Sequence, residues 1–435
     1  MFVIVLFLAI IYFQIKGNKP LALFCLVNLT FGFGFINTKG GPIEDSHLLY
    51  VVIVIITLLE RYRNREYFTL HNDNIGKVII CISIYYLLHL LFSIIVGVDS
   101  LKNCLNAGLG NIIWLVYFYF RSMDACGFKK FFKMIICLNV IQGIFYYLQF
   151  VGVTGLLTGA MSEGDSGDVR FYNQPFWSML ILLYLLVVTK KECPKKYLFL
   201  IFFLPLPIFS QGRGVLLALA GALCIYMLIK RQKKNVLLLF AGVLFFQFVV
   251  SPMFSQREKE ADKNTFQEIT EVLRNPSATY TNYEIGSGTL VFRIGMLTER
   301  ITYLLDNPQY LLFGVGDVYE NSSNNTYIFN LGTYNNSAQY GKTMLSSVDI
   351  DWVEPTIKYG LVCVFLYILL YFTWGSNGLK AIKKNDNRLV LTSTLYCYYC
   401  FFSSFGTSPL HRRLFIALFC MAIVSQYRRN KKLIS

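Results

Sequence analysis

The sequence predicts an all-α polytopic membrane protein with about 12–13 transmembrane helices and one large, partly helical extracytoplasmic loop. Of its 435 residues, 55% are hydrophobic and only 15% are charged, whereas soluble domains carry roughly a quarter charged residues. The apolar runs are continuous and do not alternate with polar residues. Only helices and closed barrels satisfy every backbone hydrogen bond in lipid, and continuous runs favour helices.

The helices are predicted from apolar runs that approach the ~20 residues needed to span a bilayer. They cover residues 2–15, 21–36, 47–59, 78–98, 103–120, 131–150, 175–189, 196–210, 214–229, 235–250, 355–374, 389–406 and 410–426. If the first run only dips into the membrane, twelve spans remain. The chain then divides into an N-terminal bundle (1–250), the large loop (251–354), and C-terminal spans with a basic cytoplasmic tail (355–435).

The net charge of +15 is a topology signal, because most lysines and arginines lie in every second hinge. The basic hinges are Lys16 and Lys19, Arg61–Arg65, Lys129–Lys133, Lys190–Lys196, Lys230–Lys234, Lys380–Arg388 and Arg428–Lys432. By the positive-inside rule these hinges face the cytoplasm. The loop 251–354 has seven basic and thirteen acidic residues, so we expect the lipid bilayer as a partner and no nucleic acid.

A broken helix and an arginine follow each other near residue 210. Pro205 and Pro207 remove backbone donors, so the helix 196–210 is expected to bend there. The motif Ser210–Gly214 then places Arg213 between two glycines at the start of the next helix. A helix N-terminus favours an anion. The alternative is that Arg213 anchors the chain at the lipid headgroups.

Two further outer turns carry arginines. Arg170 comes shortly before Pro175, a residue typical of a helix start, and it too is either an anion ligand or an interfacial anchor. Arg412 and Arg413 follow His411 between the last two spans. The positive-inside rule disfavours arginines on the outer side. A role as interfacial anchors therefore explains Arg412 and Arg413 less well.

Inside the large loop, helical spacing is present over residues 266–274 and 293–305, and the second helix begins with Arg293. Phe313–Asp317 contains a Gly-x-Gly, which without a βαβ context predicts a turn and not a nucleotide site. The Asn-rich patch 321–340 is either a carbohydrate-facing surface or a disordered tip.

No metal or cofactor is expected. Cys397 and Cys400 have a CxxC spacing, but they lie within a predicted span with no second cysteine pair. His89 lies within another span, where a helix–helix hydrogen bond is the expected role.

The arginines Arg170, Arg213, Arg293, Arg412 and Arg413 all fall on the predicted outer side. Arginine is permanently charged, and its guanidinium forms paired hydrogen bonds with phosphate oxygens. This pattern favours an anionic, lipid-anchored substrate such as a polyprenyl pyrophosphate. Arginines could stabilise the charge of the departing pyrophosphate without a metal.

The order of several short motifs resembles the O-antigen polymerase and ligase superfamily over residues 165–365. The motifs are Arg-Phe-Tyr-Asn-Gln-Pro (170–175), Phe-Ser-Gln-Gly-Arg-Gly (209–214), Phe-Arg-Ile-Gly-Met (292–296), Tyr-Leu-Leu-Phe-Gly-Val-Gly (310–316), Val-Asp-Ile-Asp-Trp (348–352) and Tyr-Gly-Leu (359–361). This resemblance implies a C-type glycosyltransferase fold in a bacterial inner membrane, with the active site on the periplasmic side.

The resemblance also implies transfer of a glycan from undecaprenyl pyrophosphate to an acceptor hydroxyl. The family's functional arginines would correspond to Arg170, Arg213 and Arg293. Asp349 or Asp351 is the candidate base, and a structural role at the helix start is the alternative. Ligases use a loop histidine, and this sequence has none between residues 89 and 411, which favours a polymerase.

The sequence therefore predicts a polymerase that moves a growing glycan onto the non-reducing end of a lipid-linked repeat unit, with inversion. A chain-length regulator and a flippase are expected partners. The alternatives are an O-antigen ligase that uses lipid A-core, a lipid-linked glycan transporter, and a sensor with an outer domain. A transporter would favour internal repeats and ionisable groups at mid-membrane, whereas the sequence shows no repeat and its predicted spans are nearly free of charge.

Overall fold

The computed structural model describes residues 2–29, 73–153, 156–157, 161–163, 169–171, 173–209, 213–230, 289–319, 329, 331, 350–384, 387–406, 410 and 413–429. The predicted spans 47–59 and 235–250 lie outside these residues. The predicted loop helix 266–274 and the Asn-rich patch 321–340, except for the isolated residues 329 and 331, lie outside them as well.

The described chain is almost entirely helical. Its helices are α1 (Phe2–Ile15), α2 (Lys19–Leu29), α3 (Asn74–Val96), α4 (Leu101–Gly108), α5 (Val116–Arg121), α6 (Ala125–Gln149), α7 (Ser178–Val187), α8 (Lys196–Phe203), α9 (Pro205–Phe209), α10 (Arg213–Ile229), α11 (Thr289–Asp306), α12 (Pro308–Leu311), α13 (Val353–Lys384), α14 (Arg388–Ser403) and α15 (Leu414–Arg429). A 3₁₀ segment, Leu109–Leu115, joins α4 to α5. A short antiparallel pair, β1 (Met161–Glu163) and β2 (Val169–Phe171), was not predicted.

Three helices, α3, α6 and α13, are long and apolar enough to cross a membrane. Shorter apolar segments of 10–17 residues occur in α1, α2, α7, α8–α9, α10 and α15. The expectation of an all-α protein with membrane-spanning helices is therefore confirmed at this level. The described part of the loop 251–354 also contains helix, in α11 and α12.

Local sequence explains where these helices break. The chain leaves α8 at Leu204, immediately before Pro205, so the predicted bend is confirmed. The span predicted over residues 103–120 is helical throughout, but a 3₁₀ segment separates α4 from α5 within it. Gly108, Gly110 and Asn111 are weak helix formers, and short 3₁₀ stretches are common at helix ends.

The helix predicted from Pro175 begins later, at Ser178. The backbone N–H of Trp177 donates instead to the Asn139 side chain on α6, at 3.0 Å. In a helix that began at Pro175, the N–H of Trp177 would lie in the first turn and have no backbone acceptor within the helix. The side chain of Asn139 is its acceptor instead.

The core lies around α14 and α15. Every residue from Leu414 to Val424 is buried, so α15 is enclosed on all sides. The neighbouring α14 packs against α7, α10, α13 and α15. In contrast, α3 leaves Leu88 and Ile95 exposed on one face, as expected of a helix that meets lipid. Between membrane helices, packing and hydrogen bonds supply the attraction because lipid tails are as apolar as leucine.

One end of the bundle is closed by a buried ionic cluster on Asp73, the N-cap of α3. Arg121 Nε donates to its carboxylate at 2.9 Å, and the hydroxyls of Tyr117 and Ser425 donate at 2.8 Å. The ends of α3, α5 and α15 therefore meet at this point. Such a pair is tolerated when further hydrogen bonds satisfy the buried charges.

At the other end, α13 is interrupted at Gly360, whose backbone is left-handed and extended (φ 71°, ψ −173°). Residues 312–316 fill this interruption. The N–H of Val362 donates to Leu312 O at 3.3 Å, and the N–H of Gly316 donates to Lys358 O at 3.1 Å. Lys358 O would have been the helical acceptor of Val362, so the two segments exchange hydrogen bonds.

We predict that Gly360→Ala destabilises the protein by at least about 2 kcal/mol, because only glycine adopts this backbone region without strain. A β-carbon would also overlap Leu312 O and Gly314 N. Thermal or denaturant unfolding in detergent measures the change.

Gly375→Ala is the matched control on the same helix. The nearest atom to a β-carbon there is the Tyr398 hydroxyl at 3.5 Å, so the substitution should be neutral or stabilise by up to about 1 kcal/mol. Equal stability of Gly360→Ala and Gly375→Ala would contradict the role given to Gly360.

Candidate functional site

Three sequence motifs meet at the connection between α14 and α15, residues 404–413, which we call the α14–α15 connection. Its centre is Gly406. A β-carbon placed on Gly406 would lie 3.7 Å from Arg293 Nη1 and 3.7 Å from Gly214 Cα. The motif that contains Arg293 on α11 and the motif that ends at Gly214 on α10 therefore converge on one glycine.

The third motif reaches the α14–α15 connection through Asp351. Its backbone N–H donates to Ser404 O at 3.1 Å, and its Oδ2 accepts from the backbone N–H of Leu410 at 2.9 Å. Trp352 Nε1 donates to Ser404 Oγ at 2.9 Å. The side chain of Asp351 thereby holds the connection in place. Its predicted role as a base stays a prediction.

Arg413, the first described residue after Leu410, turns its guanidinium into the bundle beside α14. It hydrogen-bonds the Tyr399 hydroxyl and lies within electrostatic range of Tyr396. Its Nη1 atom is buried and makes no hydrogen bond within the described part of the chain. Arg413 is thus a half-buried cation with one buried nitrogen, at the edge of the α14–α15 connection.

The arginines whose side chains the structure describes fall into two groups. The paired ones are Arg121 with Asp73 at 2.9 Å, Arg300 with Glu299 at 2.7 Å and Arg388 with Glu192 at 3.2 Å. Arg293 and Arg413 form no ion pair with any described carboxylate. Both side chains are half-buried. An anionic ligand could supply the counter-charge that no described carboxylate gives them.

The other predicted site residues fall as follows. Arg213 is the first residue of α10, next to Gly214. Arg170 lies in β2, where Ser162 is its cross-strand partner. Asp349 and Arg412 lie outside the described residues. The structure thus brings Arg293, Arg413, Asp351 and the backbone at Arg213 to one connection.

The segment that follows Arg170 is fixed along α6. The side-chain amides of Asn173 and Gln149 donate to each other's oxygen, at 2.9 and 3.3 Å. The same segment ends at Trp177, which α6 holds through Asn139. These contacts hold residues 173–177 against α6.

A second polar cluster was missed by sequence reasoning. His89 on α3 was expected to bond another helix, but this is wrong: its Nδ1 contacts Asp317 Oδ2 at 2.9 Å, and its Nε2 contacts Phe313 O at 2.8 Å. The predicted turn at residues 313–317 is confirmed and is bound to α3. Both ring nitrogens are occupied, and the His89 side chain is 1% exposed, so His89 is not available as a base in this arrangement. A polar residue inside an apolar run was the signal that could have indicated the cluster.

No metal-ligand group of three or more His, Cys, Asp or Glu side chains occurs in the described ranges. Cys397 and Cys400 are free, buried thiols.

We predict that Asp351→Ala lowers the free energy of unfolding by about 1–3 kcal/mol, because the buried N–H of Leu410 loses its acceptor. Asp351→Asn keeps a side-chain oxygen for that N–H and should unfold close to the wild type. Thermal unfolding in detergent compares the two variants. A matching loss in both would mean that the charge, and not the hydrogen bond, is required.

No protein-family model matches the chain, and no curated protein matches it either. Membership of the O-antigen polymerase and ligase superfamily stays a prediction from the motifs.

Proposed function

We propose that the protein is a polysaccharide polymerase, a glycosyltransferase of the bacterial cytoplasmic membrane that uses a polyprenyl-pyrophosphate donor. The observation that carries the proposal is a pair of arginines, Arg293 and Arg413, at the connection where the three motifs meet. Neither forms an ion pair with a carboxylate of the described residues. The positive-inside pattern would put this connection on the extracytoplasmic side. A lipid-linked donor could then keep its tail in the bilayer and its head at the α14–α15 connection.

In this proposal the arginines bind the pyrophosphate of the donor. Arg293 approaches from the loop helix α11, and Arg413 approaches from the bundle. The N-terminus of α10 at Arg213 adds backbone N–H groups that favour an anion. Guanidinium groups bind phosphate oxygens through paired hydrogen bonds, and they stabilise negative charge most strongly where water is excluded. Arg170 and Arg412 are kept as predicted ligands of the same group.

The reaction would be a displacement at the anomeric carbon. The acceptor hydroxyl at the non-reducing end of a lipid-linked repeat unit attacks that carbon, and its proton passes to Asp349 or Asp351. The bond to the pyrophosphate breaks, its electron pair leaves with undecaprenyl pyrophosphate, and the configuration inverts. A flippase that supplies the repeat unit and a chain-length regulator are the partners that this reaction calls for.

We predict that Arg293→Ala and Arg413→Ala each lower polymerisation about 10- to 100-fold, which corresponds to the loss of about 1.5–3 kcal/mol per charged hydrogen bond. Lysine at either position should restore little, because it lacks the planar fork. The assay follows glycan length and released undecaprenyl pyrophosphate in proteoliposomes supplied with lipid-linked repeat units.

Arg388→Ala is the matched control, because Arg388 pairs with Glu192 on partly exposed chain and such pairs contribute at most about 1 kcal/mol. Unaltered glycan lengths in Arg293→Ala and Arg413→Ala would contradict the proposal.

In a host that attaches its glycan to lipid A-core, the phenotype of a null strain distinguishes a polymerase from a ligase. Loss of a polymerase leaves core capped with one repeat unit, whereas loss of a ligase leaves bare core.

A further inference from the structure

The carboxylate of Asp317 joins the loop to two helices of the bundle. It accepts hydrogen bonds from His89 Nδ1 at 2.9 Å and from Ser93 Oγ at 3.3 Å, both on α3, and from the Tyr359 hydroxyl of α13 at 3.0 Å. The backbone N–H of Asp317 also donates to Ser93 Oγ at 3.0 Å. Side-chain exposure is 1% for both His89 and Asp317. The loop is thus docked through a fully desolvated polar contact.

The proton count of this contact follows from its partners. His89 Nε2 faces the carbonyl oxygen of Phe313, which only accepts, so Nε2 carries a proton. His89 Nδ1 faces the Asp317 carboxylate, so one more proton is shared between these two groups. Each polar atom of this contact thus has a partner, as buried polar groups require. Asp317 therefore docks without the cost of an uncompensated ion.

The docked turn is packed against the C-terminal part of α11. Leu304 of α11, Val315 and Val318 of the turn, and Ile357 of α13 form a small buried apolar cluster, and Val98 after α3 packs against it. A shift of the turn would therefore move Leu304, because closely packed side chains transmit displacements.

Arg293 lies on the same helix face as Leu304, eleven positions earlier, which is about three turns of α-helix. Nearer to Arg293, α11 is held by Met296, which is fully buried in the main core. Phe292 and Leu297 pack against the same core, so α11 is held there in its N-terminal half and at Leu304 in its C-terminal half. A helix held in both halves has a defined axis, whereas a helix held in one half can tilt. The orientation of Arg293 toward Gly406 thus depends on the far end of α11.

We propose that His89 and Asp317 are positioning residues that orient α11 and thereby hold Arg293 at the α14–α15 connection. This inference rests on the proposed function in one respect, since there Arg293 is a ligand of the pyrophosphate. The positioning itself is a property of the protein without substrate and is measured separately.

The first experiment is hydrogen exchange on the full-length protein in detergent, followed by mass spectrometry. In Asp317→Ala, amides of residues 289–317 should exchange at least about tenfold faster, while those of 388–424 keep the wild-type rate. Asp317→Asn should resemble the wild type, because its amide can donate to His89 Nδ1 and its oxygen can accept from Tyr359. Wild-type exchange over 289–306 in Asp317→Ala would overturn the proposal.

Tyr86→Phe is the matched control. The Tyr86 hydroxyl makes a buried 2.8 Å hydrogen bond with the Tyr367 hydroxyl, one turn from His89, and it joins α3 to α13 without touching the loop. Faster exchange over 289–317 in Tyr86→Phe as well would overturn the proposal, because any damage to α3 would then suffice. If Asp317→Ala does not fold, Ser93→Ala removes one partner of Asp317 and should accelerate the same amides to a smaller extent.

The second experiment measures binding of farnesyl pyrophosphate, the probe for the anionic headgroup. Asp317→Ala should weaken binding about tenfold, as a misplaced binding group does, and Asp317→Asn should restore it. In an Arg293→Ala background, Asp317→Ala should cause no further loss. An additional tenfold loss there would show that Asp317 does not act through Arg293. If the wild type does not bind the probe, the proposed function fails, and hydrogen exchange alone decides whether His89 and Asp317 position α11.

Discussion

The interruption of α13 at Gly360 is the constraint on which the rest of the site depends. Inside a helix bundle, each backbone N–H and C=O that leaves the helical pattern needs a new partner. The turn at residues 312–316 supplies these partners, and Gly314 and Gly360 have no side chain to keep the two backbones apart. Once the turn is seated, Asp317 reaches His89, α11 is held against α13, and Arg293 lies beside Gly406. The broken helix thus links the loop to the α14–α15 connection.

The charge pattern of the site follows from the same packing. Arg121, Arg300 and Arg388 are each matched by a carboxylate on a neighbouring segment or residue, as expected where arginine serves structure. Arg293 of α11 lies beside Gly406 of the α14–α15 connection, and Arg413, which belongs to the connection, bonds the Tyr399 hydroxyl. Asp351, the nearby carboxylate, is held by the Leu410 N–H. Among the described carboxylates, none pairs with Arg293 or Arg413 at this connection.

Apolar run length predicted the positions of most described helices, because a segment of about 15–20 apolar residues has few other stable states in lipid. Pro205 predicted its helix break, since proline acts locally.

The interruption at Gly360 could not be predicted, because a single glycine is compatible with helix until another backbone approaches it. The partner of His89 lies 228 positions away in Asp317, and the spacing of residues gives no information on such a pair. Gly406 was missed for the same reason. The proximity of Arg293 and Arg413 to one connection could be anticipated only from the side of the membrane that the sequence predicts for each turn.

The ionic cluster on Asp73 makes the two ends of the bundle unequal. Arg121, Tyr117 and Ser425 are bound to one desolvated carboxylate, and separating a buried charge pair costs about 3–5 kcal/mol. A carrier that works by alternating access has to open each end in turn, and this cluster opposes opening at its own end.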